Sequence, residues 1–340
     1  MIARPAALAG VLALGACVGP GPVETPGAKR LGVQRYVAQR EPWSFRGREG
    51  WLYRTPSAVI RTTVRDRAMR LRLPAFIELS QLHARSLVAT LPEPDEPVET
   101  YMLGSRRGWE TITRRLLGDR AGVYLAMEKG GFSVGSTGVF YDIGPKDSFT
   151  IAAHEGWHQL ARSVLEDPIP VWLDEGIACY AEGFRWDDRD PDLPRFLPWA
   201  NLERFDQLRD AYGRGTLIPL RELVTVRPQE LMRTDRGADR VLTYYAQLWA
   251  LVHFLRESDH APGLARTIEM ARDGRLLDAM PESAARALRV RRTGPGVLAV
   301  IAPGRTLDEL DAAYTGFVGR IVGVGGRDAV VFGRSPLDPS

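Results

Sequence analysis

The segment Ser148-Phe149-Thr150-Ile151-Ala152-Ala153-His154-Glu155-Gly156-Trp157-His158-Gln159-Leu160 reads as a helix. Phe149, Ile151, Ala152, Leu160 and, further on, Leu165 give it apolar faces. Asp147 or Ser148 is placed to cap its start, and Pro168 and Pro170 close it. Helical residues four apart share a face, so His154 and His158 can meet one metal ion. Glu155 lies beside them, where a carboxylate can take a proton from an activated water. With 5 histidines in 340 residues, chance gives roughly 0.005 such motifs in a chain of this length. A pair of merely packed histidines is therefore the weaker reading. Gly156 costs ~1 kcal/mol relative to Ala inside a helix. The expected compensation is room for substrate or for a neighbouring strand.

Catalytic zinc usually has three protein ligands and a water, so one more ligand is needed. Downstream stands Pro170-Val171-Trp172-Leu173-Asp174-Glu175-Gly176-Ile177-Ala178-Cys179-Tyr180-Ala181-Glu182. A helix from near Trp172 puts Glu175 in its first turns, after room for a loop and an antiparallel return. Glu182, two turns on, shares that face. It either supports a ligand histidine or is a solvated carboxylate. Cys179 reads as a small buried hydrophobe. His83 and His253 read as packed or surface histidines, and Trp157 and Trp172 as core around the site. Residues 243–255 form an apolar helix opened by Tyr244 and Tyr245.

Upstream, the periodicity changes. Residues 51–53, 58–64, 98–103, 121–127 and 135–143 read as strands, rich in β-branched and aromatic residues. Residues 66–90 and 106–117 carry helical spacing, and Pro92, Pro94 and Pro97 end the first of these. The fold class is α+β. A small mixed sheet flanked by helices spans 50–147, a mostly helical part that carries the site spans 148–322, and 323–340 is a tail.

Composition bounds the rest. A hydrophobic share of 44% with 26% charged residues suits a packed chain. The 45 cations, all arginine except Lys29, Lys129 and Lys146, nearly balance 42 anions. That balance leaves no clustered positive charge, so nucleic acid is not the expected partner. No apolar run reaches the ~18 residues that span a bilayer. Residues 1–16 combine one cation, Arg4, with the short apolar stretch from Ala6 to Ala16, the form of a secretory signal. Leu14-Gly15-Ala16-Cys17 resembles a bacterial lipoprotein signal, which implies acylation of Cys17 and an outer-membrane address facing the periplasm. The plainer alternative is secretion with Cys17 free. Residues 17–49, rich in Gly, Pro and Arg, read as a tether. With Cys17 acylated, Cys179 has no disulfide partner.

His-Glu-x-x-His followed by Trp-Leu-x-Glu-Gly-x-Ala resembles the gluzincin metallopeptidases, the thermolysin-like and aminopeptidase-like clan. The likeness is sharp over 148–183 and 243–255 and loose over 50–147. It implies a zincin-like fold with the active-site helix between the two parts. It implies Zn2+ held by His154, His158 and Glu175, with Glu155 as the base in hydrolysis of a peptide or protein substrate. Tyr245 then donates to the oxyanion, with Tyr244 as the fallback. The strand near Gly135–Tyr141 becomes the sheet edge on which an extended peptide pairs, Gly135 and Gly138 allowing close approach. Two features depart from the family pattern. The spacing between the motifs is shorter than in the best-known members, and Asp174 stands where asparagine is common. Asp174 either supports a ligand histidine or caps its helix. The alternative within the same fold is a catalytically inactive binding module of the envelope.

Overall fold

A computed structural model of the chain describes residues 36–37, 39–125, 130–233 and 237–338. The expected signal, Cys17 and most of the expected tether fall outside the described residues. The chain is α+β, a sheet-bearing N-terminal part followed by mostly helices. Strands β1 (Gln39–Phe45), β2 (Arg48–Arg54) and β3 (Ala58–Thr62) lead to helix α1 (Arg67–Ala84). Then come β4 (Val98–Leu103), α2 (Arg106–Leu117), α3 (Ala121–Leu125), β5 (Gly131–Val134), β6 (Thr137–Tyr141) and α4 (Pro145–Val164). The second part holds α5 (Val171–Ala181), β7 (Phe184–Trp186), β8 (Pro194–Phe196), α6 (Leu202–Gly213), α7 (Leu220–Leu223) and α8 (Pro228–Leu231). It ends with α9 (Gly237–Arg256), α10 (Ala261–Arg272), α11 (Glu282–Arg291), α12 (Gly296–Ile301), α13 (Leu307–Ile321) and α14 (Gly326–Val331).

The sheet order is β1-β2-β3-β4-β6-β5. β3, β4 and β6 run parallel, and β1–β2, β2–β3 and β5–β6 pair antiparallel. Strand alternation sends successive side chains to opposite faces. Ile60, Met102 and Phe140 pack on one face with Phe76 of α1 and Phe149 of α4. Val139 and Tyr141 pack on the other with Trp109 of α2. Helix α4 thus rests on the sheet while also packing on α5, the first helix of the second core.

Several expectations need correction. The tether expected over 17–49 does not hold for its last part, because Gln39–Phe45 is β1, paired along its length with β2. Pro42 is tolerated there because β1 is the edge. Arg46 and Gly47 both have positive φ, 52° and 73°, as a two-residue hairpin turn requires. The strand expected over 121–127 is the helix α3 as far as Leu125; residues 126–127 are outside the described residues. The single strand expected over 135–143 is half of a hairpin. Gly135, at φ 54°, turns β5 into β6, and β6 is internal. Among the described residues the sheet edge at this end is β5. Gly138 does not admit a peptide: a Cβ there would sit 3.0 Å from the Gln159 side chain of α4. The short hairpin β7–β8 interrupts the helical part. Residues 323–338 are not a loose tail, since α14 buries Val330 and Ser335 donates to Glu257 at 2.7 Å.

Helix α4 starts before its expected cap. Gly144 is the N-cap and Pro145 opens the first turn, where its missing N–H costs nothing. Ser148 instead accepts from the Ile143 amide at 3.0 Å. Gly156 faces neither substrate nor strand. A Cβ there would meet Ser80 Oγ at 3.1 Å and Gln81 Nε2 at 3.3 Å, so the glycine lets α1 approach. Gln81 then donates to the Gly156 carbonyl at 3.2 Å.

Candidate metal centre

Helix α4 carries His154 and His158 one turn apart, their rings 5.0 Å between centroids. Helix α5 carries Glu175. Its Oε2 lies 3.3 Å from His154 Nε2 and 3.6 Å from His158 Nε2. Bonds of ~2.0–2.2 Å at tetrahedral angles place ligand atoms about 3.3–3.5 Å apart. Both Glu175 distances lie close to that spacing, and the three ligand atoms lie within 4.8 Å of one another, so the donor set suits a single metal ion.

The outer nitrogens decide which atoms face inward. His154 Nδ1 is 2.9 Å from Glu182 Oε1, and His158 Nδ1 is 3.0 Å from Asp174 Oδ1. Each carboxylate accepts the Nδ1 proton, which leaves each Nε2 turned toward Glu175. Asp174 and Glu182 thus each sit against a histidine of α4. Asp174 does not cap α5, whose N-cap is Pro170. It also accepts from Trp157 Nε1 at 3.0 Å and from Arg292 at 2.8 Å. Glu182 is only 5% exposed, not solvated.

These contacts set the charges. Burial disfavours the imidazolium of His158, but Asp174 and Glu175 outweigh it and raise its pKa to about 9. His154 is likewise raised, against burial, by hydrogen bonds to Cys179, Glu175 and Glu182. Burial works against the ionised form of Glu175, yet the two histidines hold it well below the carboxylate range. Without metal the cluster carries protons that a divalent ion would replace.

Glu155 is buried at 7% exposure, between the two histidines along α4. Of the tyrosine pair, Tyr244 is fully buried, its hydroxyl 3.4 Å from the Val226 carbonyl. Tyr245 is half-buried, and the Arg204 guanidinium lies over its ring at 5.4 Å. Burial, and then the Glu175 carboxylate, push the Tyr245 phenol well above its ordinary value, so it stays a neutral donor. Cys179 is fully buried, and its thiol is pushed up by burial. It lies with His154 and Glu182 in a second group of close ligand atoms. There His154 Nδ1 is already committed to Glu182, so this group is a support of the first rather than a separate site. His83 stacks on Phe196, and His253 on Trp199, and among the described residues neither joins a group of close ligand atoms.

Arg204, Asn201 and Arg292 complete the surroundings, and no spacing points to them. Arg292 follows Asp174 by more than a hundred residues, at the left-handed C-cap of α11. Arginine is also too common in this chain for one to stand out. The cap signal of Asn201 before α6 is the one legible cue: its Oδ1 accepts from the Arg204 amide at 3.3 Å.

A scan against protein-family models finds no match, and a search of curated proteins finds no significant relative.

Proposed function

We propose that the chain is a zinc-dependent metallopeptidase of gluzincin type, anchored in the bacterial cell envelope through acylated Cys17. The observation that carries the enzymatic reading is the convergence of His154 Nε2, His158 Nε2 and Glu175 Oε2, with a carboxylate behind each histidine. A packed helix pair has no need of two histidines aimed at one carboxylate and backed by two more.

Bound zinc lowers the pKa of a water and polarises the substrate carbonyl. The chain's own residues do the rest. Glu155 accepts a proton from the attacking water as the new C–O bond forms. It delivers that proton to the departing amine as the C–N bond breaks. Tyr245 donates its phenol O–H to the oxyanion, a charge present only near the transition state. Strand β5, not β6, is the edge available to an extended peptide backbone.

The test measures zinc content and turnover on a mixed peptide library. Wild type should bind one zinc and cleave. His158→Ala should lose the zinc, and Glu155→Gln should keep it and lose turnover. Normal turnover by Glu155→Gln would sink the assignment. For the anchor, Cys17→Ser should move the protein from the detergent phase to the aqueous phase. Equal partitioning rules acylation out.

A further inference from the structure

Behind His154 the polar contacts form a closed chain. Glu182 Oε1 accepts from His154 Nδ1 at 2.9 Å and from Arg204 Nη2 at 3.0 Å. Glu182 Oε2 accepts from Asn201 Nδ2 at 2.7 Å and from Arg204 Nε at 3.1 Å. Four donors thus fill the four acceptor positions of one buried carboxylate. Arg204 supplies two of them as a fork, the geometry that fixes a carboxylate plane as well as its charge. The guanidinium is itself held. Its side chain is 15% exposed, it donates to Gln207 at 3.3 Å, and it lies 5.4 Å from the Tyr245 ring centre. The last is a cation–π contact.

We propose that Arg204 is a positioning residue for the metal centre, acting through Glu182 to fix the tautomer and ring plane of His154. The role rests on the reading of His154 as a zinc ligand. Its logic is electrostatic and geometric. A carboxylate this buried needs a counter-charge to remain an acceptor for Nδ1–H. Without the fork only Asn201, on Oε2, holds the carboxylate plane against His154, and the ligand nitrogen is less firmly aimed.

A double-mutant cycle on zinc affinity, read by competition with a chromophoric chelator, tests this. Arg204→Gln should weaken zinc binding about 10–100-fold, the usual effect of losing an outer partner of a ligand histidine. Arg204→Lys keeps the charge but not the fork and should fall between. Glu182→Gln should weaken binding similarly. Glu182→Gln with Arg204→Gln should be no weaker than Glu182→Gln alone, because Arg204 acts through that carboxylate. If Arg204→Gln alone folds poorly, the cycle is run with Arg204→Lys in both the single and the double variant. Unchanged zinc affinity in Arg204→Gln or Arg204→Lys overturns the proposal, as does full additivity in the double variant. Loss of zinc in His158→Ala with normal affinity in the Arg204 variants defeats this inference alone. Failure of wild type to bind zinc defeats the metallopeptidase reading, and this inference with it.

Discussion

At the scale of single residues, chemistry is legible where it is local. His154, Glu155 and His158 stand within one helical turn, and Asp174, Glu175 and Glu182 share one short helix and its end. Arg204 and Arg292 reach the same centre from other helices, and nothing in their own neighbourhoods marks them. The tyrosine pair separates on contact rather than on sequence. Adjacent helical residues point about 100° apart, so both cannot face the centre. Tyr244 spends its hydroxyl on the Val226 carbonyl, and Tyr245 does not share that partner. Tyr245→Phe should therefore lower kcat and kcat/KM together by ~10²–10³, about 2.7–4 kcal/mol, with zinc retained. Tyr244→Phe should cost about 1 kcal/mol of stability and little rate. Steady-state kinetics and denaturant melts of the two variants check this. The reverse pattern would give the oxyanion role to Tyr244.

At the scale of elements, long amphipathic helices are readable and short apolar runs are not. Residues 121–127 carry Val, Tyr and Leu in a row, which periodicity alone cannot divide between strand and helix. β1 is hidden by its polar residues and Pro42, although Trp43 and Phe45 alternate and stack at 5.9 Å. What sequence cannot supply is which helix crosses which. Helix α5 crosses α9 at Gly176, where a Cβ would meet Val252 Cγ2 at 3.0 Å and the Leu248 carbonyl at 3.1 Å. That glycine sits next to Glu175, so the crossing sets how far the carboxylate reaches. Gly176→Val should destabilise the fold by about 1–3 kcal/mol through overpacking. It should also weaken zinc binding, since Glu175 moves with α5. A melting midpoint and a zinc affinity both equal to wild type would show that the crossing has slack.

At the scale of the whole molecule, the two cores meet along α4 and α5, and His83 reports on how firmly the β7–β8 hairpin closes on the first of them. His83 of α1 stacks on Phe196 of β8 at 4.9 Å, so it bridges the sheet-bearing part to the β7–β8 hairpin. Its Nε2 is buried with no hydrogen-bond partner among the described residues. Burial lowers its pKa from 6.5 to about 4. The folded form therefore resists a proton that the unfolded chain accepts. Above pH 6.5 neither state is protonated and the effect vanishes. As pH falls from 6.5 toward 4 the unfolded state gains the proton first, so stability falls with pH across that window. His253, also lowered by burial, acts in the same direction. Asp174, Glu175 and Glu182 add their own loss in acid, and the raised histidines of the centre add stability as pH falls toward 6.5, so the wild-type curve alone does not isolate His83. Comparison with His83→Phe does, because Phe keeps the stack and cannot titrate. The variant's stability relative to wild type should rise by about 1–3 kcal/mol between about pH 7 and pH 4.5, the linkage of a shift of this size. Denaturant melts of both proteins at the two pH values, with chelator present throughout, measure that difference. If it is the same at both, His83 is not held neutral by the fold, and the hairpin does not close over it.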